Sequence, residues 1–190
     1  MTRAKLISML FGLACLSACT GPEPTLYTLA AQPGTPVAAP ARVRSVELRR
    51  IGVAGYLDRP GIVRSPTAYR LDVAQNSRWA APIGQMLERT IAENLMTRMP
   101  GVTVFAESGG ISMQPDRVLK IDIQRLDADP TGDVVLQAQV AVLGGATGSA
   151  ATIRSFRTSQ RPASMAVEDQ VAAMSVAVAA LTDEIAGMLR

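Results

Sequence analysis

Downstream of Val43 the apolar residues follow two different periods. In VRSVELRRIGV (Val43 to Val53), Val46 and Leu48 fall on one face with charges opposite, which predicts a strand. TAYRLDVAQ (Thr67 to Gln75) alternates again through Tyr69, Leu71 and Val73 and predicts a neighbouring strand. Between them, Asp58-Arg59-Pro60-Gly61 is turn chemistry. The period then lengthens. Ile83, Met86, Leu87, Ile91, Leu95 and Met99 recur at three and four residues, which marks an amphipathic helix of about 18 residues. Pro82 suits its first turn, and Pro100-Gly101 ends it. Val102 to Glu107 reads as a short strand.

Alternation returns in Arg117 to Asp129, Asp133 to Gly145 and Ala150 to Gln160. Leu119, Ile121 and Ile123, then Val134, Leu136, Ala138, Val140 and Val142, define one apolar face. Short turns at PTGD and GGATGS join these three strands, which predicts an antiparallel meander. Finally Val167, Val171, Met174, Val178, Leu181, Ile185 and Met188 step alternately by four and three, predicting a long helix. Ser164 is placed to cap it, and Glu168 and Asp169 favour the positive end of its dipole. The order β-β-α-β-β-β-β-α predicts an α+β fold: a two-layer sandwich with a mostly antiparallel sheet of about five or six strands and two long helices on one face.

Upstream of Val43 neither period appears. Arg3 and Lys5 precede an almost unbroken apolar run from Leu6 to Leu16. That run is well short of the roughly 20 residues a spanning helix needs, so residues 1–18 read as a signal peptide. Its exit, Leu16-Ser17-Ala18-Cys19, resembles the bacterial lipobox. By that resemblance Cys19 takes a diacylglycerol on its sulfur and becomes the acylated first residue. Cys15 fits less well, because Gly12 stands where the lipobox has Leu. Each buried acyl methylene contributes about 0.8 kcal/mol, so two or three chains hold a protein on its membrane. Thr20, rather than Asp, follows the cysteine. By the enterobacterial lipoprotein rule this favours the periplasmic face of the outer membrane. Thr20 to Arg42 carries five prolines and reads, with Cys19, as a lipidated tether over residues 19–42. Extended, it would reach at most roughly 75–80 Å. Leu26-Tyr27-Thr28-Leu29 alone is apolar enough to dock, as a short edge strand. A single domain is expected over residues 43–190.

Composition narrows the chemistry. Losing Arg3 and Lys5 takes the formal charge from +3 to +1, and no Lys/Arg block remains, so no nucleic-acid partner is expected. There is no histidine, which removes the commonest general base and metal ligand. Both cysteines lie in the leader and lipobox, so a mature chain would have no disulfide. GGATGS (Gly144 to Ser149) lacks the Lys of a phosphate loop and joins two strands, so it reads as a hairpin turn. Asp122, Asp127, Asp129 and Asp133 miss the ligand spacing of a calcium loop and read as strand-end and turn residues facing water. No catalytic residue, metal or cofactor is expected, and the protein is not expected to be an enzyme.

Tyr56, Leu57, Asp58, Arg59 and Pro60 admit two readings: a structural turn, or an interaction loop in which an aromatic and an Arg anchor a partner. Trp79 divides the same way, as a core plug or as part of that loop. The Val167–Met188 stripe is expected to be core, while Ala172, Ala173, Ala177 and Ala180 offer a small-residue side for subunit packing.

Taken together, the lipobox, YTL at Tyr27 to Leu29, YLDRPGIVR at Tyr56 to Arg64 and RWAAPIGQMLERTIAENL at Arg78 to Leu95 resemble the ABC-type transport auxiliary lipoproteins. Gly61 stands where that family commonly has Gln, Ala81 replaces an acid and Ile83 a Leu. The resemblance implies a non-enzymatic outer-membrane lipoprotein. It would work with an MCE-domain protein, or beside an ABC permease and ATPase, in intermembrane lipid transport that protects membrane integrity. It also implies a homo-oligomeric ring and phospholipid contact. The alternatives are a lipoprotein assembly factor or chaperone for an outer-membrane complex of the lipopolysaccharide-exporter or secretin type, and, more remotely, a periplasmic hydrolase using Ser or Asp alone.

Overall fold

The computed structural model describes residues 23–111, 113–145 and 149–190. The leader, the lipobox and Cys19 lie outside the described residues, as does the centre of the Gly144–Ser149 turn. The elements are β1 (Thr25–Tyr27), β2 (Ser45–Leu48), β3 (Gly52–Val53), β4 (Gly61–Thr67), β5 (Arg70–Trp79), α1 (Ile83–Arg98), β6 (Thr103–Ala106), β7 (Arg117–Ala128), β8 (Val134–Gly144), β9 (Ser149–Gln160) and α2 (Val167–Met188).

The fold is α+β, with two helices, as the periods predict, but the sheet is mixed and has nine strands. The expected meander is present: β7 pairs antiparallel with β8 from Arg117↔Gly144 to Ala128↔Val134, and β8 pairs antiparallel with β9. The correction lies on the other edge of β7. There β2, β3 and β4 take successive stretches, all parallel, at Arg117–Leu119, Asp122–Ile123 and Ala128. β6 adds in parallel to β2, β5 antiparallel to β4, and β1 in parallel to β5. A twelve-residue strand is long enough to seat three short ones in series. These partners are distant in sequence, so no local period reports them.

Both helices follow their apolar stripes. Ile83, Met86, Leu87, Ile91, Leu95 and Met99 are buried, as are Val171, Met174, Val178, Leu181 and Ile185. α2 is long and apolar enough to cross a membrane, yet its stripe is built into the core against β7, β8 and β9. Ala173 and Ala177 also face the core, so the small-residue side is narrower than expected. Ser164 does not cap α2. The N-cap is Ala166, and the Ser164 hydroxyl bonds Asp169 and accepts from the Ala166 N–H.

Two strand assignments shift. Val43–Val53 is two strands, broken at Arg49–Ile51. The turn expected at Asp58–Gly61 gives way at Gly61 to β4, Gly61–Thr67, a strand the sequence pattern did not predict, with Ile62 and Val63 in the core. It forms a hairpin with β5 whose end carries Tyr69, fully exposed, followed by the half-exposed Leu71 and Val73. The inward residues of β5 are Ala74, Ser77 and Trp79.

The described part of the stretch expected as a tether is packed. Leu29 is completely buried. The Ala30 N–H donates to Ser175 Oγ, the Gln32 N–H to Asn94 Oδ1 and the Val37 N–H to the Arg98 carbonyl. Residues 25–37 therefore form a strap over both helices, and the packed domain begins at Thr25 rather than Val43. Its backbone groups find partners on the helices, and Leu29, Tyr27 and Val37 pack on the core.

Candidate functional site

The loop Ala54–Pro60 leaves β3 and leads into β4. Its geometry splits the residues singled out by sequence into two groups. Leu57 is buried in the core, and Trp79 is nearly so. The Tyr56 hydroxyl donates to Asp127 Oδ2 at 2.6 Å. Asp58, Arg59 and Pro60 are exposed. The apolar members thus fix the loop from beneath and the polar members are presented to solvent.

Three sequence motifs meet here. The Trp79 N–H donates to the Pro60 carbonyl at 2.7 Å, and Gly61 stands opposite Arg78 in the β4–β5 ladder. Tyr27 is paired with Trp79 across β1 and β5, and the Ala80 N–H donates to the Tyr27 carbonyl at 2.8 Å. YTL, YLDRPGIVR and RWAAP are therefore one structural unit, strand beside strand, and Trp79 is its shared plug.

Asp127 is 1% exposed, which corrects its reading as a water-facing residue. A register shift after Ile123 turns Leu126 and Ala128 to the core and leaves Asp127 on the opposite side. There it accepts from the Tyr56 hydroxyl on one oxygen and from Arg125 at 2.9 Å on the other. Burial, then the hydrogen bond to Asp127, push the Tyr56 phenol well above its ordinary value, so it remains a donor at any physiological pH. Asp122 is exposed as expected. Asp129 closes the β7–β8 turn by accepting from the Thr131 N–H and hydroxyl and the Asp133 N–H. Among the described residues no cluster of acidic side chains forms a metal site.

Beside the loop lies an open cleft of about 670 Å³ between β3, the start of α1 and the loop after β6. Its wall includes Asp58, Arg50, Arg89, Gly84 and Glu88. Glu88 is 7% exposed; it accepts from the Ser108 hydroxyl at 2.8 Å and from the Ile51 N–H at 3.3 Å. Sequence reasoning missed Glu88 because it read α1 by its apolar stripe alone. The polar row Thr90, Asn94 and Arg98, spaced by four, was an available signal of a different buried face, the one that meets residues 32–33, and it does not mark Glu88. The cleft and the exposed Asp58-Arg59-Pro60 edge can seat a polypeptide segment. The one hydroxyl–carboxylate contact described in the cleft wall is that of Ser108 with Glu88.

The chain is similar to known proteins in sequence and in fold. It is 26% identical over 108 residues to the intermembrane transport lipoprotein PqiC of Escherichia coli, and equally to that of Shigella flexneri. The match covers 57% of this chain and 56% of each relative, so the chain spans about half the length of the curated relatives it matches. The crystal structure of protein XCC0632 from Xanthomonas campestris shares the fold, with a TM-score of 0.72 and 21% identity over 86% of this chain and 93% of that one. The family model described as ABC-type transport auxiliary lipoprotein component matches residues 27–186, from the YTL strand to the last turns of α2, and the chain belongs to that family.

Proposed function

We propose that this protein is the outer-membrane lipoprotein of an MCE- or ABC-type intermembrane lipid transport system, held to the periplasmic face by acylated Cys19, where it docks the transport machinery. The observation that carries the reading is the family match over residues 27–186, together with the likeness to PqiC, whose name describes an intermembrane transport lipoprotein. The lipobox Leu16-Ser17-Ala18-Cys19 supports the anchor. The lack of any histidine supports a docking role in place of an enzymatic one. The docking edge is Asp58-Arg59-Pro60 and the cleft beside it, a charged rim around a partly apolar wall, as protein-binding surfaces require. A homo-oligomeric ring is part of the same proposal.

Affinity isolation of the full-length lipidated chain from its own cell envelope tests this. Recovery of an MCE-domain protein or an ABC permease, reduced by Asp58→Ala with Arg59→Ala, is the expected result. Recovery of a secretin or an exporter β-barrel in their place would establish the assembly-factor reading. Turnover that one Ser or Asp substitution abolishes would establish a hydrolase.

A further inference from the structure

The strap changes the geometry of anchoring. Since packing begins at Thr25, only five residues separate Cys19 from the fold, and at about 3.3–3.6 Å per residue the six steps from Cys19 to Thr25 span at most roughly 20 Å. A domain on so short a leash rests against its membrane. Which surface meets the bilayer follows from how the chain enters.

β1 runs parallel to β5, with Thr25 opposite Ser77, so the chain arrives from the direction of the β4–β5 turn. Pro24 already lies along that path, lining a shallow cleft with Val73, Gln75 and Arg78. Six residues back along β5 from Ser77 is Leu71, about the leash length again. Around that level the chain displays an exposed apolar row at alternate positions: Tyr69 at 101%, Leu71 at 49% and Val73, which packs over Gly61, at 42% exposure. Arg70 and Arg78 beside it are exposed, whereas Asp72 is engaged by Arg64 at 3.1 Å. Gly61 to Trp79 therefore carries three arginines against one acid.

We propose that the end of the β4–β5 hairpin is a membrane-docking finger, with Tyr69, Leu71 and Val73 set into the headgroup region of the anchoring membrane and Arg70 and Arg78 facing anionic phospholipid headgroups. Tyr suits that boundary because its ring is apolar and its hydroxyl stays wet. Each arginine near an anionic surface adds to the attraction. The finger holds the docking edge in one orientation above the bilayer. This inference rests on the lipid-anchor reading of Cys19.

The test uses full-length lipidated protein carrying Tyr69→Trp in vesicles of phosphatidylethanolamine and phosphatidylglycerol, with and without brominated acyl chains. Mass spectrometry first verifies the acylated Cys19. Trp79, nearly buried, supplies the background recorded with the parent protein. The added indole should emit to the blue and lose intensity to bromine, as a residue at the membrane interface does. An acylated protein whose added indole stays red and unquenched overturns the finger and leaves the anchor standing. A blue shift that grows with protein concentration and ignores bromine also overturns it, in favour of a second copy on the hairpin. An unacylated Cys19 removes the anchor reading, and the finger with it.

Discussion

Arg98 at the end of α1 is ion-paired with Asp183 of α2, and the two differ sharply in setting: the Arg side chain is 2% exposed and the Asp 57%. The same guanidinium donates to the carbonyl oxygens of Gln32 and Asn94. One buried cation therefore joins both helices and the strap. Because Asp183 is largely in water, its charge adds little and the carbonyl bonds dominate. Arg98→Met should cost about 2–4 kcal/mol and expose residues 30–42 to protease, whereas Asp183→Asn should stay within about 1 kcal/mol. Urea midpoints and limited proteolysis check this; equal costs for the two variants would mean that Arg98 does not hold the strap.

Gly34 sits against that guanidinium so closely that a Cβ would overlap Arg98 Cζ. Gly34→Ala should displace Arg98 and reproduce part of the Arg98→Met phenotype. In the Arg98→Met background it should add little, since the two act through one contact. A double-mutant cycle reads this directly, and full additivity would contradict it.

How far the fold could be read from the chain depended on whether a signal was local. The stripes of α1 and α2 and the alternation of β7 and β8 report their own burial, and the structure follows them. β4 was hidden because Pro60-Gly61 and Pro66 flank a run whose inward residues, Ile62 and Val63, are adjacent and show no period of two. Tyr69, Leu71 and Val73 do alternate, yet they face solvent, because period alone does not say which face is covered. The strap has the composition of a linker and is fixed by Asn94, Arg98 and Ser175, on helices 62 to 145 residues away. At the candidate site, Tyr56 and Leu57 could be singled out from sequence, but the buried partner Asp127 could not, since it lies away from the core face and its burial comes with its contacts to Tyr56 and Arg125.

Asp116 ties β2 to the start of β7. It accepts from the Arg44 N–H at 2.8 Å and from the Ser45 N–H and hydroxyl, and these bonds, that from Arg44 first, hold its carboxyl below the ordinary range. A lowered folded-state value adds stability that is present above the unfolded value of about 4 and lost as pH falls through the folded one. Asp129, held low by Thr131 and Asp133 against the opposing effect of burial, acts in the same direction. Melting temperature should therefore fall steeply below about pH 4, and Asp116→Asn should flatten that fall. An unchanged acid limb would show that Asp116 is not the group titrating.

Tyr56 and Arg59 belong to the same loop but answer to different forces, so they should separate experimentally. Removing the Tyr56 hydroxyl leaves the buried Asp127 with Arg125 alone, and an under-satisfied buried carboxylate costs about 1–3 kcal/mol. Tyr56→Phe should be destabilising by that amount at neutral pH. The raised phenol value adds a pH signature: its contribution is complete below the unfolded value of about 10 and is lost as pH rises toward the folded one. Tyr56→Phe should thus remove part of the alkaline instability of the parent protein. Arg59 is exposed, and Arg59→Ala should leave both the urea midpoint and the alkaline limb within about 0.5 kcal/mol of the parent. If Arg59→Ala nonetheless lowers partner recovery, the loss comes from the presented surface; if it destabilises the fold as Tyr56→Phe should, the presented edge is structural and the docking assignment fails.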